Sequence, residues 1–204
     1  MSEENRKAIR ISVRNLVEFV LRSGDIDNRR SGNAQKDAML AGGRIHRKIQ
    51  KRMGSGYRAE VPLKHEVQDE EQEITLLVEG RADGIFTENG IPVIDEIKGM
   101  YTDISRLEEP IEVHLAQAMC YGYFYCCDKD LDGIRLQMTY CNLETEEIKR
   151  FQTDRSREEL ETWFSSVVHE YFKWARYLYH HELIRDASIG HLEFPFPYRA
   201  GQRD

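Results

Sequence analysis

Asn89-Gly90, set between the runs Leu76–Glu88 and Ile91–Lys98, most restricts what this chain can fold into. Both runs are rich in Val, Ile, Leu and Phe. An Asn-Gly pair between such runs predicts a two-residue hairpin turn, because both residues readily take positive φ. With these two as the loop, Glu88 pairs with Ile91, Asp83 with Glu96 and Arg81 with Lys98. Directly opposed residues bring their Cβ atoms to roughly 4.5–5.5 Å, and alternate residues share a face. Asp83, Glu96 and Lys98 are therefore expected in one cluster. Opposed like charges need compensation. A divalent cation between the carboxylates supplies it, and so does a solvated face on which Lys98 neutralises its neighbours; a one-residue slip would separate the three altogether. By the pleat, Asp95 falls on the opposite face from Glu96 and outside the cluster.

Upstream, residues 9–21 read as a short strand entering a helix capped by Ser12 or Asn15. Ser23 to Gly32 is a loop by composition. From Asn33 to about Met53, Ala34, Ala38, Ile45, Ile49 and Met53 fall near helical spacing around Gly42-Gly43. Each glycine there costs about 1 kcal/mol relative to alanine, so the pair predicts close packing or a close backbone approach. His46 lies on this segment among Arg44, Arg47, Lys48, Lys51 and Arg52. It reads as a surface or satisfied core histidine more readily than as a ligand, and the basic residues as a solvated face or a contact for a phosphate backbone. Tyr57 to Val67 is a strand with Val61, Leu63 and Val67 at period two, so residues 57–98 make three consecutive antiparallel strands.

Downstream, Pro110 precedes a helix over residues 111–125. His114, Gln117 and Tyr121 share one face of it; Gln117 and Tyr121 either tie down neighbouring backbone or serve a site. Residues 134–141 alternate as a strand, and a turn at 142–146 leads to a last strand through Ile148 and Phe151. Ser156-Arg157-Glu158-Glu159 is a capping box. It opens a helix whose stripe of Leu160, Trp163, Phe164, Val167, Val168, Tyr171, Phe172, Trp174 and Leu178 reads as core packing. From 186 to 204, prolines and aromatics without helical period read as an extended linker.

The formal charge of −7 argues against a general polyanion binder, yet it is unevenly spread. Residues 1–60 hold 14 Lys and Arg against 7 Asp and Glu, while the rest hold 15 against 29. A basic N-terminal third keeps nucleic acid open as a partner. No apolar run of roughly 18 residues is present, and the opening residues lack the apolar stretch of a signal peptide. The expectation is a cytoplasmic protein with no membrane partner. Cys120, Cys126, Cys127 and Cys141 are too few and too irregular for a disulfide scaffold or a zinc site.

His46 after Gly42-Gly43-Arg44-Ile45, Asp83 after Gly80-Arg81-Ala82, Glu96 and Lys98 in Asp95-Glu96-Ile97-Lys98, and Gln117 with Tyr121 occur in this order on the expected elements. Together they resemble the PD-(D/E)XK nuclease superfamily, in its RecB-like exonuclease branch, over about residues 9–180. The resemblance implies an α/β (α+β) fold with a restriction-endonuclease-like core, a central mixed sheet flanked by helices. It implies metal-dependent phosphodiester hydrolysis on DNA, single-stranded or with free ends, in repair or recombination. Asp83, Glu96 and Lys98 would be the catalytic residues. His46, Asp83, Glu96 and the Ile97 carbonyl would hold the ion, and Gln117, Tyr121, Arg44, Arg47 and Lys48 would contact DNA. Oxygen ligands favour Mg²⁺, and a histidine among them shifts preference toward Mn²⁺. Several such nucleases carry an iron–sulfur cluster on one cysteine before the core and three after it; here no cysteine precedes Cys120 or follows Cys141, so no cluster is expected.

Phe196-Pro197-Tyr198-Arg199-Ala200-Gly201-Gln202 is similar to the opening of DinG/XPD-type helicases. With the nuclease resemblance it implies a nuclease domain over 1–185 and a linker over 186–204 that leads to an absent helicase motor. No Walker A sequence is present, so the chain itself is not expected to hydrolyse ATP. The competing expectation is a noncatalytic DNA-binding module that guides a fused helicase.

Overall fold

The structure, a computed structural model, describes residues 6–22, 33–69, 71, 73–190 and 199, with the backbone alone for 33–39. The expected loop Ser23–Gly32 and the tail segment Phe196–Gln202, Arg199 apart, lie outside the described residues. The elements run β1 (Lys7–Ser12), α1 (Val13–Leu21), α2 (Asn33–Arg52), β2 (Arg58–Gln68), β3 (Ile74–Glu88), β4 (Ile91–Met100), α3 (Glu112–Lys129), β5 (Gly133–Asn142), β6 (Ile148–Ser156) and α4 (Arg157–Ile189). They form a central mixed sheet flanked by helices, the α/β arrangement expected. Strand order is β1-β3-β4-β5-β6, with β2 paired to β3 off this path.

The hairpin forms as its turn dictates: Asn89 and Gly90 take φ of 52° and 82°, and the ladder runs from Glu88–Ile91 to Gly84–Asp95. It then stops. The expected pairs Asp83–Glu96 and Arg81–Lys98 do not form: beyond Asp95 the Ile97 amide donates to the Asp83 side chain instead of to β3 backbone, while β4 keeps its parallel partner β5 from Val93–Arg135 through Met100–Asn142. β1 lies parallel to β3 from Lys7–Ile74 to Ser12–Glu79, and β2 covers the other edge of β3. β1 and β4 therefore share one edge of β3 and leave Gly80 to Asp83 between them without a ladder partner on that side.

Two layers cover the sheet. α1, α3 and α4 enclose the larger core with Leu16, Val78, Ile94, Phe124, Leu136 and Phe164. α2 closes the opposite face with Ile45 and Ile49 against Ile97 and Cys141. Lying between them, β5 is buried on both faces over most of its length, so its alternating sequence does not become alternating exposure. Gly42 and Gly43 do not mark a close approach: a Cβ at Gly42 would meet nothing within 4 Å. That role falls to Gly122 of α3, where a Cβ would stand 2.8 Å from Leu136 Cδ2.

Ser12 caps α1 by accepting from Asn15 N, and the Ser156–Glu159 capping box opens α4. α4 continues to Ile189, beyond the change of composition at 186. Its first half packs as its period predicts, with Leu160, Phe164, Val167, Val168 and Phe172 buried. The expectation of core packing fails at Trp174 and Leu178, which are 45% and 50% exposed. The helix outruns the layer it packs on. Among the described residues, no helix is long and apolar enough to cross a membrane.

His65 of β2 lies in the aromatic layer, stacked on Phe124 at 5.4 Å and edge-on to Tyr123 and Phe164. Burial pulls its pKa below the ordinary 6.5, against an upward pull from Glu161. The unfolded chain then binds a proton that the folded chain refuses, so His65 costs nothing above 6.5 and destabilises as pH falls below it. Urea denaturation at about pH 5 and about pH 7.5 should show a smaller acid loss for His65→Phe than for the parent chain. Equal losses would remove His65 as a cause.

Candidate active site

The interval Gly80–Asp83 is where the charged residues collect. With no backbone partner on this edge, Asp83 replaces the ladder by its side chain: Oδ2 accepts from Ile97 N at 2.7 Å. Oδ1 stands 3.2 Å from His46 Nδ1 of α2. On the β2 side the ladder also breaks, because Glu60 takes φ of 53° and forms no pair with Asp83. Gln50 fills that break, its Nε2 donating to Asp83 O at 3.0 Å and to Glu60 Oε1 at 3.2 Å.

Lys98 Nζ donates to Glu96 Oε1 at 2.8 Å and to Gln117 Oε1 at 2.7 Å. One ammonium thereby joins the hairpin to α3. Glu96 is buried, and its Oε2 meets no hydrogen-bond partner. Burial raises its pKa above the ordinary 4.5, and Lys98 pulls it back. For His46, burial alone would lower the pKa, but the hydrogen bond and charge of Asp83, with the charge of Glu96, outweigh it and hold the imidazole above 6.5. Tyr121 enters the gap from α3: a Cβ at Gly80 would fall 2.5 Å from its hydroxyl, so only glycine leaves room for the phenol. Burial, reinforced by the Glu96 and Asp83 charges, raises the Tyr121 pKa.

His46, Asp83, Ile97, Glu96, Lys98, Gln117 and Tyr121 are thus joined or near neighbours. Arg44 and Arg47 are exposed on α2, and Lys48 pairs with Glu146. Asp95 stands apart, as its parity predicts, accepting from Tyr57 OH at 2.9 Å and Thr139 Oγ1 at 2.6 Å. Burial raises its pKa. His114 lies one turn before Gln117, with Nδ1 3.4 Å from Tyr140 OH. Burial and then Lys98 push its pKa down to about 4, so it faces the cluster as a neutral imidazole. Gln50 escaped the sequence reading, although its spacing of four from His46 places both on one helical face.

Among the described residues, no three His, Cys, Asp or Glu side chains stand converged for an ion. His46 is turned onto Asp83, and Glu96 onto Lys98. The donor set nevertheless fits a hard divalent cation: two carboxylates, of which Glu96 keeps a buried oxygen without a hydrogen-bond partner, and an adjacent imidazole. An isolated buried carboxylate oxygen calls for a cation or a proton.

No protein-family model matches the sequence, and a search of curated proteins finds no match. Among solved structures, SSO0001 is similar over 83% of this chain and 78% of its own, with a TM-score of 0.51 and 17% identity. The two share a fold. The alkaline exonuclease LHK-Exo from Laribacter hongkongensis is similar over 85% of this chain and 93% of its own, at a TM-score of 0.45 and 13% identity. Its complex with dAMP gives 0.44 at the same identity.

Proposed function

We propose that this chain is a metal-dependent DNA nuclease that hydrolyses phosphodiester bonds, acting on DNA with free ends as the nuclease module of a helicase–nuclease. One observation carries the reading: at the break between β3 and β4, Asp83, bonded to the Ile97 amide, lies beside Glu96, whose carboxylate and the α3 glutamine Gln117 both accept from the Lys98 ammonium. Such a group suits a reaction in which water attacks phosphorus and a P–O bond breaks.

Asp83, Glu96, His46 and the Ile97 carbonyl would hold Mg²⁺ or Mn²⁺. When bound, the ion supplies Lewis acidity, polarising the phosphate and lowering the pKa of the attacking water. Lys98, anchored by Glu96 and Gln117, presents a fixed positive charge to the phosphate as negative charge develops on its oxygens. Gln117 limits the motion of that ammonium. Tyr121, held over Gly80, shapes the wall against which the strand lies. Arg44, Arg47 and Lys48 on α2 contact the backbone of incoming DNA.

Linear and circular DNA incubated with Mg²⁺ or Mn²⁺ test this directly. The expected result is degradation of linear DNA, with circles spared, abolished by a chelator and by Asp83→Ala. Cleavage undiminished in Asp83→Ala would overturn the assignment. DNA binding without metal-dependent cleavage would support the noncatalytic module instead, and equal attack on circles would make the enzyme an endonuclease.

A further inference from the structure

We propose that Gln50 is a positioning residue that holds Asp83 for the cation, an inference that rests on the function proposed above. Asp83 lies where both edges of β3 lose their ladder. On the β4 side its carboxylate receives the Ile97 amide; on the β2 side its carbonyl would be orphaned by the turn of Glu60 to positive φ. A half-buried carbonyl without a donor leaves the strand free to shift toward solvent. Gln50 Nε2 supplies that donor at 3.0 Å, and its second hydrogen bond, to Glu60 Oε1 at 3.2 Å, fixes the direction of the amide.

Gln50 and His46 are one turn apart on α2, so a single helical face grips Asp83 twice, by main chain and by side chain. Ile45 and Ile49 beside them are buried against Ile97 and Cys141, so the face cannot roll. Three hydrogen bonds from α2 and β4 therefore fix Asp83. Gln50 touches neither substrate nor ion; it acts through the residue that does. Partners of this kind change metal affinity by about 10- to 100-fold when removed.

The test uses the full chain and two variants that lose the donor at nearly constant length, Gln50→Met and Gln50→Glu. In the absence of metal, amide hydrogen exchange followed by NMR should show the Ile97 amide exchanging about tenfold faster in both. Val93 and Ile94, in the intact part of β4, should be unchanged. Calorimetric titration with Mn²⁺ should show about tenfold weaker binding, and cleavage should recover at raised Mn²⁺. Unchanged Ile97 exchange would overturn the inference, whatever the enzyme does. So would faster exchange throughout β4, or an unaltered Mn²⁺ affinity alongside a lowered melting temperature, either of which describes a merely structural residue. A parent chain that neither binds Mn²⁺ nor cuts DNA would overturn the proposed function, while the Ile97 amide still decides whether Gln50 holds Asp83.

Discussion

Lys98→Met is expected to lower DNA cleavage by at least about a hundredfold at saturating Mn²⁺. Methionine keeps the length of the side chain but removes the charge that Glu96 Oε1 and Gln117 Oε1 hold in place. Gln117→Leu should cost less, about tenfold, because Glu96 still retains the ammonium while its second anchor is gone. Lys98→Met also leaves Glu96 buried without its counter-charge, and the carboxyl, already raised by burial, rises further. A carboxyl whose folded pKa is raised binds its proton more tightly in the folded chain. Its stabilisation is full below the unfolded value of 4.5 and is lost as pH climbs through the folded one. With chelator present, the melting temperature of Lys98→Met should therefore fall more steeply between about pH 5.5 and about pH 8 than that of the parent. Cleavage at the parent rate would remove Lys98 from the chemistry, and parallel melting profiles would show that it does not compensate Glu96.

The second large effect is expected at Gly84, where a Cβ would fall 1.8 Å from Tyr57 Cζ and 1.9 Å from its hydroxyl. Gly84→Ala must expel that ring. Tyr57 stacks on Phe86 at 5.8 Å and donates to Asp95, which is fully buried. Expulsion removes both the packing and one of the hydroxyl donors. The lost hydrogen bond alone costs about 1–3 kcal/mol, and with the displaced ring the total should reach about 3 kcal/mol. For a chain of this size that is a drop of roughly 10 °C in melting temperature. Tyr57→Phe should cost only the hydrogen bond. In a Tyr57→Ala background the Gly84→Ala penalty should largely vanish, since the clash has been removed. A full penalty in that background would place the strain in the backbone instead.

Much of the architecture was legible because it is local. Asn89-Gly90 set the hairpin register, Ser156 and Glu159 announced α4, and helical spacing put Gln117 and Tyr121 on one face. What escaped depends on distant partners. No signal in 76–98 shows that β1 will occupy half an edge of β3, so the ladder was expected to continue through Asp83 and Glu96. Nor does Glu60 declare a positive φ, and without that break Gln50 looks like one more polar helix residue. Trp174 and Leu178 depart from the core for a related reason: period shows which residues share a face, not how far the opposing layer extends. The close approach assigned to Gly42-Gly43 fell instead at Gly122, because glycine content reveals permission for contact and not the contact itself.

The shared edge of β3 also bears on the order in which the chain folds. β3 and β4 are joined by a two-residue turn, so their hairpin can close on the microsecond scale. β1 must travel from Lys7 to Ile74 to seat itself, and such long-range pairing is slow because loop closure precedes any gain from contact. The hairpin that carries Asp83, Glu96 and Lys98 is therefore expected to exist before its surroundings do. α2, which brings His46 and Gln50, finds its buried partners only once β4 and β5 are side by side. A nascent chain would thus display its acidic pair early and complete the grip on Asp83 last, so that the proposed binding of a divalent cation would report on the finished fold.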